Sequence, residues 1–312
     1  MNNSENEEKE EEEDDNKIYL QKDTNNKSLP LHIIYKSINS ICKIMLNDYN
    51  KVIGTGFFVK LNILGKEYLF LVSTYHVIDD FYIDDKQELK LLLNIDMQES
   101  GNIITKKVII NLNKEERKKR KIIFLNHKDL TAIEILSTDK FINNIQFLYC
   151  DLNYIDGYYQ YENQDIYILQ HPDGNPVNFS TGHLTKLIEK ETEQNEFEIY
   201  EFEHELYTQK GSSGSPIILV YNNRVIGVHR GSFRNKEINI GIFIGELINE
   251  LNDLIEKEYE NEKENSYMSK ENENMKESDF FKYKINGKEE VKNKKDSIYV
   301  QINDVISFTP QF

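Results

Sequence analysis

Short apolar runs recur along this chain from residue 40 to residue 244, and residues that favour turns separate them. Each run has the length of a β-strand and is too short for a stable helix, so the pattern predicts an all-β fold. The predicted strands cover residues 40–46, 52–60, 68–73, 89–95, 108–112, 121–125 and 130–136, and then 166–169, 177–181, 184–188, 197–204, 216–221, 225–229 and 238–244. Two groups of short strands with turn signals indicate two small antiparallel barrels packed together.

Local signals add detail to these strands. Gly65-Lys66 and Asn222-Asn223 predict hairpin turns. Within residues 197–204 the alternation of apolar residues slips at Ile199–Tyr200, which predicts a bulge. The basic residues 114–121 are interpreted as a solvated loop, and apolar residues at helical spacing predict an amphipathic helix over residues 246–258.

The charge of the chain is strongly acidic, with a formal net charge of -16 and an isoelectric point of about 5.0. This balance argues against a general affinity for nucleic acid or for anionic membranes. Much of the acid lies near the ends, so we expect a disordered acidic tail over residues 1–29 and a charged linker with an unassigned C-terminal segment over residues 259–312. The folded domain is expected at residues 30–258, with the first barrel over 30–145 and the second barrel and helix over 146–258.

The cysteines, Cys42 and Cys150, are too few for a disulfide framework and show no metal-ligand spacing. No apolar stretch is long enough to cross a membrane, and the N-terminus is acidic where a secretory signal needs a basic start. These features predict an intracellular, cytoplasmic protein that needs no metal or other cofactor.

The stretch Gly211-Ser-Ser-Gly-Ser-Pro216 places a serine between glycines. Such glycines let the backbone turn sharply and keep side-chain bulk away from the Ser213 hydroxyl. An exposed nucleophile needs this kind of turn, because neighbouring N–H groups must point at a developing oxyanion. The alternative interpretation is a Gly/Ser turn that joins two strands and has no chemical role.

Acyl transfer by serine also needs a base and a group that orients it. His76 directly follows a predicted strand, in Leu71-Val-Ser-Thr-Tyr-His-Val-Ile78. This segment resembles the one that carries the catalytic histidine in trypsin-like (chymotrypsin-fold) serine peptidases, and Gly54-Thr-Gly-Phe-Phe-Val59 resembles the strand before it. Lys128-Asp-Leu-Thr-Ala-Ile133 resembles the family's Asp-Ile-Ala-Leu strand start, although Thr131 interrupts the apolar pattern, and Gly211–Pro216 resembles its Gly-x-Ser-Gly-Gly/Ser-Pro signature.

The resemblance covers about residues 35–258 and implies two packed six-stranded antiparallel β-barrels with the site in the cleft between them. It implies that Ser213 is the nucleophile, that His76 is the base and that Asp129 orients His76. The N–H groups of Gly211 and Ser213 would form the oxyanion hole. His76 as a structural histidine and Asp129 as a surface residue that begins a strand are the alternatives.

One departure from the family concerns activation. Ser212 stands where secreted digestive members have an aspartate that captures a new N-terminal amine. The chain therefore should not need that switch, and its oxyanion loop must be held in another way. In this respect it resembles the bacterial-type, organellar and intracellular members.

The residues before the nucleophile also bear on specificity. Tyr207 lies where trypsin itself has an aspartate, so a preference for Lys or Arg is not indicated. Thr208 together with His229, in Val225-Ile-Gly-Val-His-Arg-Gly231, resembles the pocket residues of glutamyl endopeptidases and picornaviral main proteases. A hydroxyl and an imidazole can hydrogen-bond a carboxylate or a carboxamide, so we expect Glu or Gln before the scissile bond. The alternative is that His229 only packs in the pocket wall.

The expected function is a serine endopeptidase that acts on a protein or peptide substrate through an acyl-enzyme. The alternatives are a catalytically inactive binding module on the same scaffold and a regulatory peptidase that cleaves mainly itself or one partner. The sequence indicates neither an oligomeric state nor a role for residues 259–312.

Overall fold

The computed structural model describes residues 30–45, 52–97, 103–191, 197–232, 238–261 and 263. The predicted acidic tail over residues 1–29 and most of the segment 259–312 lie outside the described residues. The chain divides into two compact units, residues 1–256 and residues 257–312. The sheets and the candidate site belong to the first unit, and the described residues of the second unit are helical.

The first sheet is eight-stranded and mostly antiparallel. Its strands follow the order β5-β4-β1-β2-β3-β7-β6, and β8 pairs with β2 in parallel. They are β1 Ile41–Met45, β2 Val52–Ile63, β3 Lys66–Ser73, β4 Glu88–Met97, β5 Ile103–Asn111, β6 Ile122–Leu125, β7 Leu130–Glu134 and β8 Leu148–Tyr149. The two ends of this sheet, β5 and β6, are consecutive in the chain, and residues 112–121 connect them. β8 lies after residue 145, where the first barrel was expected to end, yet it pairs with the first sheet.

The second sheet is a closed six-stranded antiparallel barrel in the order β10-β11-β14-β13-β12-β9. Its strands are β9 Asp165–Gln170, β10 Asn178–Glu191, β11 Phe197–His204, β12 Pro216–Leu219, β13 Val225–Ser232 and β14 Asn239–Phe243. The predicted all-β architecture with two antiparallel halves is therefore confirmed. The bulge is also where the sequence predicted it, because Ile188 pairs with Glu201 and Glu189 with Ile199, which leaves Tyr200 unpaired.

One strand boundary was predicted wrongly. The runs 177–181 and 184–188 were expected to be separate strands, but both belong to β10. Gly182 continues the strand and pairs with Ile166. A Cβ at this glycine would lie 3.3 Å from the backbone of Glu205, so the glycine permits a close approach of two chain segments and does not mark a turn.

Short helices account for most of the remaining differences. The structure has α1 over Leu31–Ile38, α2 over Asp80–Lys86, α3 over Lys114–Arg117 and the predicted C-terminal helix α4, which begins at residue 245. The basic segment 114–121 is thus not a plain loop, because the Asn113 side chain accepts hydrogen bonds from the N–H groups of Glu115 and Glu116 and begins a helical turn there. In the same way the Asp79 side chain accepts from Tyr82 N at 2.6 Å and begins α2.

The core is built from aromatic and branched side chains on both sheets. One apolar cluster runs from Phe57 and Phe70 of the first sheet to Phe202 and Phe243 of the second barrel. In the barrel, a Cβ at Gly241 would lie 2.3 Å from the Phe202 ring, so only glycine lets this ring fill the interior. Among the described residues no helix is both long and apolar enough to cross a membrane.

Candidate active site

His76 lies in the turn between β3 and α2. The N–H groups of Val77 and Ile78 donate to Thr74 O, and both of these side chains are buried in the first sheet. The turn therefore has a fixed place on the core, while 47% of the His76 side chain remains accessible to solvent. This placement suits an imidazole that has to meet a substrate.

Asp129 holds the His76 ring from one side. Its Oδ2 lies 2.8 Å from His76 Nδ1, and its Oδ1 accepts from the His76 backbone N–H at 2.9 Å. Asp129 has a left-handed backbone, with φ 52° and ψ 42°, at the end of a 3₁₀ turn over Asn126–Lys128. Because a carboxylate can only accept here, Nδ1 carries the proton, and the lone pair of Nε2 is left free to act as a base.

The Ser213 loop requires glycine on both sides of Ser212-Ser213. Gly211 and Gly214 have φ values of 91° and 86°, which side chains of other residues rarely allow. A Cβ at Gly214 would lie 2.1 Å from Thr55 O, so this part of the loop rests directly on β2.

Bonds from β2 and from the turn after β9 hold this loop. Thr55 Oγ1 donates to Gly211 O at 2.8 Å, and Thr55 N donates to Ser213 O at 2.8 Å. Asp173 N donates to Lys210 O, and the buried Ser212 Oγ accepts from Gln209 N at 3.2 Å. Ser212 stands where the resemblance places the aspartate of digestive members, and its hydroxyl hydrogen-bonds a neighbour in the same loop.

The backbone N–H groups of residues 211–215 fall into two sets. The N–H groups of Ser212, Gly214 and Ser215 donate to backbone carbonyls. Within the described residues, those of Gly211 and Ser213 donate to none. They are the pair that the family resemblance implies as oxyanion donors.

The hydrogen-bond partner of the Ser213 hydroxyl is a backbone carbonyl and not His76. It donates to the carbonyl oxygen of Arg230 at 3.1 Å. No hydrogen bond joins Ser213 to His76 in the part of the chain that the structure describes. The His76–Asp129 pair is therefore formed, whereas the contact between base and nucleophile is not.

An open cleft of about 790 Å³ lies beside the His76–Asp129 pair. Its lining comes from residues that follow β3 and β6 on one side and from β13 and β14 on the other: Tyr75, His76, Asp79, Asn126 and Asp129, and then Arg230, Gly231, Ser232 and Ile240. Among the described residues no cluster of three or more His, Cys, Asp or Glu side chains could hold a metal ion.

Comparison with known families gives one decisive match. The profile of the trypsin-like peptidase domain matches residues 54–228, which is more than half of the chain and includes His76, Asp129 and Ser213. The chain belongs to this family. This trypsin-like peptidase is a serine endopeptidase, and its substrates are proteins or peptides.

The comparison with solved structures gives matches of low sequence identity. Deg5 is 18% identical, with 70% of this chain and 90% of Deg5 aligned at a TM-score of 0.47. The active form of the Rv3671c protease from M. tuberculosis is 14% identical, with coverage of 70% and 82% and a TM-score of 0.45. A serine endoprotease from Yersinia pestis is 13% identical, with coverage of 73% and 68% and a TM-score of 0.45. No curated protein matched the sequence.

The predicted specificity residues of the peptidase have unequal surroundings. His229 is 2% exposed, and its Nδ1 lies 3.2 Å from Nε2 of the buried His204. Burial, with a smaller effect of His76, lowers the pKa of His229 to about 3, and burial followed by the neighbouring His229 lowers the pKa of His204 well below its usual value. Both rings are therefore neutral.

In the part of the chain that the structure describes, neither Thr208 nor Tyr207 hydrogen-bonds His229. Thr208 Oγ1 donates to Asn239 Oδ1 at 2.7 Å, and Asn239 Nδ2 donates to Leu206 O. The Tyr207 side chain is exposed and bonds only to Gln209 among the described residues. The structure thus joins Thr208 to β14, not directly to the histidine.

Sequence reasoning missed two residues of the site. The Arg230 guanidinium contacts Asp129, and the Arg230 carbonyl accepts from the Ser213 hydroxyl. The Thr55 hydroxyl donates to Gly211 O and so holds the loop of Ser213. Thr55 stands in the segment Gly54–Val59, which resembles a strand of the family, and this resemblance is the signal that marks it. No local signal marks Arg230, because its partner Asp129 comes from the other half of the chain.

Proposed function

We propose that the peptidase cleaves its substrates with Ser213 as nucleophile, His76 as general base and Asp129 as the group that orients His76. The observation that carries this proposal is the 2.8 Å contact between His76 Nδ1 and Asp129 Oδ2, on a turn that leaves Nε2 free. The unpartnered N–H groups of Gly211 and Ser213 support it, since they suit a developing oxyanion.

In this mechanism Ser213 Oγ attacks the carbonyl carbon of the scissile peptide bond, and His76 Nε2 takes the hydroxyl proton. The carbonyl oxygen becomes an oxyanion that the N–H groups of Gly211 and Ser213 stabilise. His76 then gives the proton to the leaving amine, and the peptide bond breaks to leave an acyl-enzyme. Water attacks the ester with His76 again as base, which releases the acid and restores the serine.

Before the attack, the Ser213 hydroxyl must leave the Arg230 carbonyl, to which it donates at 3.1 Å. This bond is the observation that favours the second candidate, a binding module whose serine does not react. Turnover distinguishes the two candidates.

The experiment measures peptide hydrolysis by the wild type and by Ser213→Ala, His76→Ala and Asp129→Ala. We expect Ser213→Ala and His76→Ala to lower kcat by about 10⁴-fold or more, and Asp129→Ala by about 10³-fold or more. The exposed Ser137→Ala is the matched control and should retain full activity. Equal turnover by Asp129→Ala and the wild type would show that another group orients the base, and absence of wild-type turnover would favour the binding module.

We also propose that the residue before the scissile bond is Gln or Glu. Leu206 N donates to His204 Nδ1 at 3.3 Å, so the single proton of the neutral His204 is on Nε2 and donates to His229 Nδ1. His229 then carries its own proton on Nε2, where it is a neutral donor. Three residues that follow it in β13 line the cleft, which supports a role for this donor in substrate binding.

A neutral donor suits Gln better than Glu, because a carboxylate would bring a net charge into a buried place. The Thr208 hydroxyl donates its proton to Asn239 Oδ1, so towards a substrate it can act only as an acceptor. An acceptor at this place can receive a hydrogen bond from the NH₂ group of a carboxamide. Among the two residue types, Gln is therefore expected to be cleaved faster at neutral pH.

A matched peptide series with Gln, Glu or Leu before the scissile bond tests this preference. We expect kcat/KM for Gln to exceed that for Leu by about 10²-fold or more. Thr208→Val should lower the value for Gln and leave the value for Leu unchanged. Equal cleavage of the Gln and Leu peptides would contradict the proposal.

A further inference from the structure

Arg230 occupies a bulge at the end of β13 that faces the cleft. His229 pairs with Gly241 and Gly231 with Ile240, so Arg230 is the extra residue of this strand. A bulge bends a strand and re-aims its side chains. Here the buried His229 side chain precedes an Arg230 side chain that is 44% exposed and lines the cleft.

The Arg230 guanidinium joins two carboxylates from different halves of the fold. Its Nε lies 3.3 Å from Oδ2 of Asp129, which directly precedes β7 of the first sheet, and its Nη1 donates to Oε1 of Glu201 in β11 of the second barrel at 2.6 Å. Glu201 is 5% exposed and also contacts Lys190 Nζ at 2.8 Å. The guanidinium is thus anchored on a buried carboxylate and reaches the candidate triad from there.

The shared atom is Asp129 Oδ2, which also lies 2.8 Å from His76 Nδ1. A guanidinium remains charged at any pH at which a protein is folded. We propose that Arg230 is a positioning residue of the peptidase, which fixes Asp129 against the second barrel and weakens the attraction of Asp129 for the His76 imidazolium. This inference rests on the proposed roles of Asp129 and His76.

Other titratable groups lie near His76. Asp79 and Tyr75, from the segment of His76 itself, line the same cleft, and His229, which precedes Arg230 in β13, is buried and neutral. An anion such as Asp79 attracts an imidazolium, whereas a cation such as Arg230 repels it. When the guanidinium is removed, its positive charge no longer offsets the negative charges of Asp129 and Asp79. We therefore expect the His76 imidazole of such a variant to stay protonated up to a higher pH.

The expected effect is a change in the pH dependence of kcat/KM. In Arg230→Gln the acidic limb should move to higher pH by about 0.5–1 unit, a modest shift because the guanidinium is partly exposed. Arg230→Lys keeps the charge and should restore most of the wild-type profile. Glu201→Gln removes the counter-charge of Arg230 and should move the limb to lower pH, which is the opposite direction.

Arg224→Gln is the matched control. It removes the same charge at the other end of β13, where Arg224 Nη1 donates to Cys150 O at 3.3 Å. Its profile should match that of the wild type. Circular dichroism of each variant shows whether the fold is kept.

The experiment that tests the coupling without catalysis is an NMR titration of the His76 ring in the full-length chain. The resonance is assigned by its absence from His76→Ala, and its titration is compared between the wild type and Arg230→Gln. A midpoint moved to higher pH in Arg230→Gln, but not in Arg224→Gln, supports the proposal. An unchanged His76 titration in a folded Arg230→Gln overturns it, whereas absence of peptide hydrolysis with a shifted titration would overturn the triad and not the coupling.

Discussion

At Gly214 the fold leaves no room for a side chain. Its φ is 86°, and a Cβ there would lie 2.1 Å from Thr55 O and 2.2 Å from Ser73 Oγ. We expect Gly214→Ala to lower the free energy of unfolding by about 3 kcal/mol and to abolish hydrolysis, because the Ser213 loop must move off β2. Urea denaturation and peptide turnover measure the two effects.

Gly65→Ala is the control for this substitution. Gly65 also has a positive φ, 76°, but among the described residues no atom beyond those of Gly65 and its two chain neighbours lies within 4 Å of the added Cβ. Only backbone strain of about 1 kcal/mol is expected there, with full activity. If Gly214→Ala lowered the free energy of unfolding no more than Gly65→Ala does, the close approach to β2 would not constrain the Ser213 loop.

Among the single residues, those defined by local motifs were predictable and those defined by contacts between the two halves were not. Ser213 and His76 stand in short patterns that carry their own geometry, and Asp129 begins a recognisable strand. Arg230 meets Asp129 only after both halves have folded, so nothing near it in sequence predicts the contact. The same holds for the bond from Thr208 to Asn239.

Among the elements, β2 has a second role beyond pairing with β1 and β3. The Thr55 hydroxyl donates to Gly211 O and accepts from His171 N, so it joins the loop of Ser213 to the turn after β9. Thr55→Val keeps the shape of the side chain and removes the partner of the buried His171 N–H and of the partly buried Gly211 carbonyl. It should lower the free energy of unfolding by about 2–4 kcal/mol and slow peptide hydrolysis.

Thr55→Ser is the companion variant. It keeps the hydroxyl and loses one methyl group, which costs about 1 kcal/mol. Activity in Thr55→Ser but not in Thr55→Val supports the role of the hydroxyl. Equal activity in the two variants would show that the hydrogen bonds of Thr55 do not hold the oxyanion loop.

The strands were the most predictable elements because their apolar residues repeat with a short period between turn residues. The bulge at Tyr200 was also predictable, since one extra residue in a strand shifts the alternation of its apolar residues. The short helices were not predicted, because α2 and α3 depend on one capping side chain each, Asp79 and Asn113. The break expected inside β10 was wrong because Gly182 serves a close contact and not a turn.

At the scale of the whole molecule, three buried histidines make stability depend on pH. Burial lowers the pKa of His171 and of His229 to about 3, and it lowers the pKa of His204 in the same direction. In the unfolded chain a histidine titrates near pH 6.5. Above that pH these histidines are neutral in both the folded and the unfolded state, so they contribute no loss of stability. As the pH falls from about 6.5 towards 3, only the unfolded state takes up protons on them, so the free energy of unfolding decreases.

Each of these histidines should contribute a loss of about 1 kcal/mol per pH unit in that range. Carboxylates act in the same direction, so the comparison is between variants. His171→Gln should reduce the slope of unfolding free energy against pH, and the exposed His127→Gln should leave it unchanged. Identical slopes in His171→Gln and the wild type would show that the His171 ring is not kept neutral by the fold.

The central claim is that Ser213 is a nucleophile activated by His76, and the location of a fluorophosphonate adduct tests it most directly. The wild type is treated with the probe, digested and mapped by mass spectrometry, beside His76→Ala and Ser213→Ala. The account predicts one adduct, on Ser213, in the wild type and none in either variant. An adduct on another serine, or labelling of Ser213 that persists in His76→Ala at the wild-type rate, would contradict it.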